Sequence, residues 1–187
     1  MILGPPERLF SFVGGDAGPW EVMRAKAVRG EGLPAVARVD VVPRDVTPGS
    51  GQAWVLRGVV SNDRYVTRAE KDVLVRESPP LARPEALRAA LIPIKKSAAW
   101  WALTQDERRA IFEERSAHIA IGRRYLPAVA RRLHHGRDLG EPFDFLTWFE
   151  FRAADEGAFD DLVASLRDTE EWRYVEREVE VRLARAD

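Results

Sequence analysis

Hydrophobic and polar positions divide the chain into a first half of strands and a second half in which strands and helices alternate. Leu9-Phe10-Ser11-Phe12-Val13 is a short apolar run ending at Gly14-Gly15, Trp20 to Val28 forms a second, and Trp54-Val55-Leu56-Arg57-Gly58-Val59-Val60 a third. Residues 30–51, with four glycines and three prolines between the second and third runs, read as an ordered loop or flap. A short helix is expected from Thr67 to Glu77, stopped by Pro79-Pro80.

The second half has sharper signals. Ala90 to Ile94 reads as a strand, and Thr104-Gln105-Asp106-Glu107 as a capping box, in which a hydroxyl and a carboxylate satisfy opposing backbone N–H groups at a helix start. That helix is predicted to run towards Tyr125 and to end at Pro127, whose ring restricts the preceding residue and supplies no donor. Val129, Arg131, Leu133 and His135 then alternate with Ala130, Arg132 and His134, the period of a strand. A turn through Asp138 to Pro142 leads into a strand over Phe143–Phe151. Phe159, Leu162, Val163 and Leu166 share one helical face, and a strand from Tyr174 to Leu183 closes the chain. The order β-α-β-β-α-β is that of the ferredoxin-like unit, an α+β arrangement with both helices on one face of an antiparallel sheet.

Composition narrows the function classes. With 187 residues, 45% hydrophobic and 32% charged, the chain has ordinary globular composition. Its 29 basic and 30 acidic side chains leave a net charge of -1, so there is no electrostatic footprint for nucleic acid and no polybasic membrane patch. The absence of cysteine removes disulfides, thiolate clusters, zinc knuckles, thiolate-ligated haem and covalently attached haem. Met1 to Arg8 carries no signal-peptide pattern and no apolar run is of membrane length, so a cytoplasmic location is expected.

Of the three histidines only His118 falls inside a predicted helix, seven residues after Ile111 and so on the same face, directed towards the sheet. By itself a helical histidine is more often a packing residue than a ligand. Beside Trp100-Trp101, Arg131 and the aromatic run Phe143–Phe151, it points to a flat apolar cofactor such as haem. Arg131 follows His118 by thirteen residues, ~20 Å along a continuous helix, so only a break near Pro127 lets both reach one site. Arg132 should point to the other side of the sheet. His134 and His135, adjacent on a strand, face opposite ways and read as non-catalytic. Glu170 and Glu171, taken alone, read as solvated charges.

Five segments in order carry a family resemblance: Phe12-Val13-Gly14-Gly15-Asp16, Ser61-Asn62-Asp63-Arg64-Tyr65, Ile94 to Trp101, Glu113 to Gly122, and Arg131 to Phe151. Together they resemble the chlorite dismutase-like haem proteins, and among these the short chlorite dismutases, over about Phe12 to Leu183. The resemblance implies two ferredoxin-like repeats curled into a dimeric α+β barrel, residues 1–88 forming a reduced N-terminal half and 89–187 the haem-binding half. It implies haem b, with His118 as the iron ligand, Glu171 in preference to Glu170 as the acceptor on its second nitrogen, and Arg131 on the opposite haem face. Trp100 and Trp101 would flank the haem, while Lys96 and Tyr65 would hold its propionates.

The implied activity is conversion of chlorite to chloride and dioxygen through a ferryl/hypochlorite pair, in a homodimer. A guanidinium is permanently charged and is no base at neutral pH, so the site suits chlorite or another small anionic oxidant. The alternatives are a coproheme decarboxylase of haem biosynthesis and a haem-binding or sensing protein. Some short members are thought to pair the distal arginine with a glutamine; here only Gln52 and Gln105 exist, neither obviously placed for it.

Overall fold

Alternating apolar positions in the first half build β1 (Leu9–Gly15), β2 (Trp20–Arg29), β3 (Arg38–Val42) and β4 (Gln52–Val59), followed by α1 (Arg68–Glu77). The computed structural model describes residues 8–60 and 65–186. The second half gives β5 (Arg88–Lys96), α2 (Ala98–Ala102), α3 (Gln105–Arg109), a π-helical stretch (Ala110–Arg115) and α4 (His118–Arg123). Then come β6 (Ala130–His135), β7 (Phe145–Phe151), α5 (Glu156–Arg167) and β8 (Val175–Arg185).

All strand pairs are antiparallel, and the eight strands close into a barrel in the order β1-β3-β2-β8-β5-β7-β6-β4. Within each group of four the spatial order is fourth, first, third, second: β4-β1-β3-β2 and β8-β5-β7-β6. The two seams differ greatly. β2 and β8 pair from Trp20↔Arg185 to Arg29↔Glu178, whereas β4 and β6 meet at Val59↔His135.

Because side chains alternate along a strand, each strand feeds two cores. Phe12, Trp54, Leu91, Trp148, Val181 and Leu183 fill the barrel. Gly14 is part of that packing, since any Cβ there would overlap the Trp54 indole. Ala90, Ile92, Phe149 and Phe151 point outwards and meet Phe159, Leu162, Val163 and Leu166 of α5, each such burial contributing about 1.5–3 kcal/mol. The outer face of β5, β6 and β7 is therefore the one that holds the cavity described below.

Two expectations change. β3 lies inside the glycine- and proline-rich segment 30–51, held by Val41 and Val39 against Phe12 and Gly14 of β1; five residues were too short to stand out between turn formers. The helix predicted from Thr104 to Tyr125 begins at its capping box, Thr104 N–H donating to Glu107 Oε2 at 2.8 Å, but does not continue. It widens into the π stretch, breaks at Ala117 in the left-handed conformation (φ 51°), and restarts at His118. The Ser61–Arg64 part of the second motif lies outside the described residues. Among the described residues no helix is long and apolar enough to cross a membrane.

Candidate active site

A cavity of about 420 Å³ opens on the outer sheet face, within the size range of small-molecule sites. Its floor follows strand alternation: Ile92 and Ile94, Arg131 and Leu133, Thr147 and Phe149. Phe112, His118 and Ile119 form the wall opposite, with Lys71, Leu74 and Val75 of α1 at the side.

The helix break places His118. Ala117 turns the chain, and the Glu113 carboxylate accepts the N–H groups of Ile119 (2.6 Å) and Ala120 (3.3 Å), capping the restarted helix from outside. The π stretch spends an extra residue per turn, so Phe112 and not Ile111 comes to lie beside the histidine, its ring stacked on the imidazole at 4.3 Å. His118 Nδ1 is 2.6 Å from Glu171 Oε2. Glu171 Oε1 takes a bond from Lys96 Nζ at 2.8 Å, and the Glu171 backbone N–H donates to Ser116 Oγ at 2.9 Å. Glu170, one residue earlier, pairs with Arg115 near the surface.

Glu171 is only 4% exposed. Burial pushes its carboxyl pKa up, but the charges of His118 and Lys96 and the hydrogen bonds from both reverse this and hold it at about 2. The ionised carboxylate therefore accepts the Nδ1 proton and leaves Nε2 as the nitrogen available to a metal. An acceptor of this kind fixes the ring orientation and makes the imidazole a stronger donor.

Lys96 differs from its implied role: its buried ammonium is directed at Glu171, with the Trp100 ring 4.4 Å beneath it, rather than at a propionate. Asp144 holds this end of β5, accepting the Lys96 backbone N–H (2.7 Å) and Trp101 Nε1 (3.1 Å) on one oxygen. Trp101 is likewise not on the cavity wall; it stacks on Phe145, which is. Trp100 does line the cavity, and its buried Nε1–H has no acceptor among the described residues. Tyr65 lines it too, with Arg108 Nη1 donating to its hydroxyl at 3.2 Å.

Arg131 reaches the cavity and packs against α4, where a Cβ at Gly122 would overlap its guanidinium. Burial draws its pKa below the usual guanidinium value, and no carboxylate among the described residues pairs with it. Arg132 also contributes to the cavity lining, but its guanidinium covers the Phe10 ring at 4.3 Å and not α4. His134 is inside the barrel between Phe10 and Phe12, donating from Nδ1 to the Leu146 carbonyl at 3.1 Å, and burial drives its pKa down to about 4. His135 faces the cavity. Gln52 and Gln105 do not.

Sequence reasoning missed Ser116, Glu113, Gly122, Asp144 and Trp172. Ser, Glu and Asp in these positions have the same local signature as surface residues, and only their partners mark them. Trp172 had one available signal, its place directly after Glu171.

The family model described as chlorite dismutase matches residues 45–186. This chain belongs to the chlorite dismutase family. A dimeric chlorite dismutase from Nitrobacter winogradskyi is 56% identical, with 95% of this chain and 99% of that one superposed at a TM-score of 0.88. The chlorite dismutase of Ideonella dechloratans is 38% identical over 86 residues, 46% of this chain but only 28% of that protein's length. The imidazole complex of chlorite dismutase from Candidatus Nitrospira defluvii, 22% identical over 97% of this chain and 92% of that one, agrees in fold with a TM-score of 0.66. Family membership and the His118–Glu171–Lys96 chain, found independently of each other, fall on the same stretch of sequence.

Proposed function

We propose that this chain is a haem b-dependent chlorite dismutase, an enzyme converting chlorite to chloride and dioxygen. The observation that carries the reading is the pairing, in one cavity, of a histidine backed by a buried ionised carboxylate with a guanidinium that no carboxylate among the described residues neutralises. The residues fit a haem: a mainly apolar cavity, an Nε2 left available by the Nδ1–Glu171 bond, and a buried orphan donor at Trp100 Nε1 of the kind a propionate accepts. When bound, haem supplies iron-centred redox chemistry, oxygen-atom transfer from chlorite and release of dioxygen. His118 would hold the iron, Glu171 would keep the proton on Nδ1, and Lys96 would keep Glu171 ionised. Tyr65 and Trp100 stand as polar contacts for the cofactor rim.

Arg131 supplies what an anionic substrate needs. Buried positive charge without a counter-ion among the described residues attracts chlorite and holds a transient anion or hypochlorous product close, an electrostatic role that needs no proton transfer. A neutral peroxide gains less from such a site than an anion does.

The halves 1–88 and 89–187 are read as a reduced and a complete ferredoxin-like repeat; the matching fourth-first-third-second strand order supports this. A homodimer is supported by the dimeric Nitrobacter relative. A cytoplasmic location is supported by the lack of cysteine.

The test is haem reconstitution followed by chlorite addition in an oxygen electrode. Dioxygen should be released, His118→Ala should lose the histidine-ligated ferric spectrum, and Arg131→Ala should retain it while slowing turnover on the order of 100-fold. Arg132→Ala, whose guanidinium is directed at Phe10, should leave the haem spectrum and rate nearer the parent's than Arg131→Ala does. An Arg131→Ala variant with the parent's rate, total yield and sensitivity to a hypochlorite scavenger would remove the role assigned to that residue. Porphyrin decarboxylation without dioxygen release would favour the decarboxylase.

A further inference from the structure

Six tryptophans are present, and two of them, Trp100 and Trp172, line the cavity. They differ in what surrounds the indole. Trp100 has no acceptor for its Nε1–H among the described residues, and the Lys96 ammonium stands 4.4 Å from its ring centre. Both features oppose loss of an electron. Trp172 donates Nε1–H to Glu178 Oε2 at 2.8 Å, and its ring lies 24° from parallel with the His118 imidazole at a centroid distance of 6.4 Å. Lys96 is farther from this ring, at 5.5 Å. Trp101 also donates to a carboxylate, but the guanidinium of Arg137 lies 4.0 Å over its ring and that of Arg108 5.3 Å, raising the cost of positive charge there.

Glu178 is built to accept. It is 1% exposed, and Arg167 donates two bonds to its other oxygen, Oε1, from Nε (2.9 Å) and Nη2 (2.7 Å). Oε2 is thus left to the indole alone among the bonds described. The Trp172–Glu178 pair is not needed to hold His118, which already has Glu171.

We propose that Trp172 is the one-electron donor of this site, with Glu178 as the acceptor of its indole proton. The proposal rests on the reading that a haem binds at His118. The oxidant would be a peroxyacid or hypochlorous acid, acting through the haem that His118 would hold. One electron leaves the indole and reduces that oxidant by one equivalent. An indole short of one electron is a far stronger acid than indole itself, so the Nε1 proton passes along the 2.8 Å bond to Glu178 Oε2. The products are a neutral indolyl radical and a neutral carboxylic acid. An external one-electron reductant, such as a phenol or ascorbate, restores the indole as the proton returns. The residue would draw oxidising equivalents off the cofactor when no substrate consumes them.

The experiment treats haem-loaded protein with peracetic acid, freezes it for electron paramagnetic resonance, and maps oxidised tryptophan by peptide mass spectrometry. The parent should give an organic radical that narrows with ring-deuterated tryptophan, and oxygen addition concentrated on Trp172. Trp172→Phe should lose that signal and Trp100→Phe keep it. Glu178→Gln keeps the indole but replaces the proton acceptor by a neutral amide, so most of the radical yield should be lost with the haem spectrum unchanged. Haem-free protein, which has no cofactor to pass on the oxidising equivalent, should show less Trp172 oxidation than the haem-loaded protein. A parent-like radical yield in Trp172→Phe or Glu178→Gln, or equal Trp172 oxidation with and without haem, overturns the proposal while the His118-dependent spectrum still supports haem binding. A protein that takes up no haem overturns the underlying reading, and this proposal with it.

Discussion

Replacing Lys96 by Met removes one charge from the chain His118–Glu171–Lys96 while keeping an unbranched side chain of similar length. Glu171 then remains buried with His118 as its sole side-chain partner in that chain. In the parent the Glu171 carboxyl stands at about 2 against an ordinary 4.5, and at 1.36 kcal/mol per unit this corresponds to roughly 3 kcal/mol of folding free energy. A group whose folded pKa is depressed contributes its stability above the unfolded value, and loses it as pH falls from about 4.5 towards 2. Breaking a buried pair from one side typically costs about 3–5 kcal/mol, so Lys96→Met should lose roughly 3 kcal/mol at pH 7. For a chain of this length that lowers Tm by about 6–12 °C. The pH dependence is the stronger signature. The parent's extra stability fades as pH falls from about 4.5 towards 2, so the difference should shrink and the cost at pH 3 should be roughly half that at pH 7. Urea unfolding at pH 7, 5 and 3, followed by circular dichroism, measures it, and the double variant with Glu171→Gln isolates the coupling. A cost under about 1 kcal/mol at pH 7, or one that is constant with pH, refutes the assignment of Lys96 as the group that keeps Glu171 ionised.

Gly122→Ala should not behave as an ordinary helix substitution. Within a helix the change normally gains about 0.5–1 kcal/mol, but here the new methyl displaces the Arg131 guanidinium, so the gain should appear only in an Arg131→Ala background, as a double-mutant cycle in urea would show. Ser116→Ala removes the acceptor of the buried Glu171 N–H and should cost about 1–3 kcal/mol, while Ser116→Thr, which restores a hydroxyl, should recover part of it in the same assay.

The sequence by itself determined the elements whose periods are local. Alternation over Val129–His135, the i, i+3, i+4, i+7 face of Phe159–Leu166 and the Thr104 capping box predicted β6, α5 and the start of α3, because burial of one face repeats at a period a short window contains. Alternation also separated His134, inside the barrel, from His135, on the cavity, and sent the guanidinium of Arg131 to Gly122 of α4 and that of Arg132 to the Phe10 ring. Tertiary structure decided the rest. Glu171 meets His118 across 53 residues of chain and Lys96 across 75, and no local pattern distinguishes a glutamate or lysine that will be buried and paired from one that will be solvated. The helix through His118 broke because packing demanded it: the π stretch and Ala117 turn the imidazole onto Phe112 and Glu171, a gain made only when β8 and its preceding turn are in place. Closure of the barrel likewise joins β4 to β6 and β2 to β8 from opposite halves of the chain. Such pairings are set by which edges remain unsatisfied after local folding, a property of the assembled sheets and not of any one segment.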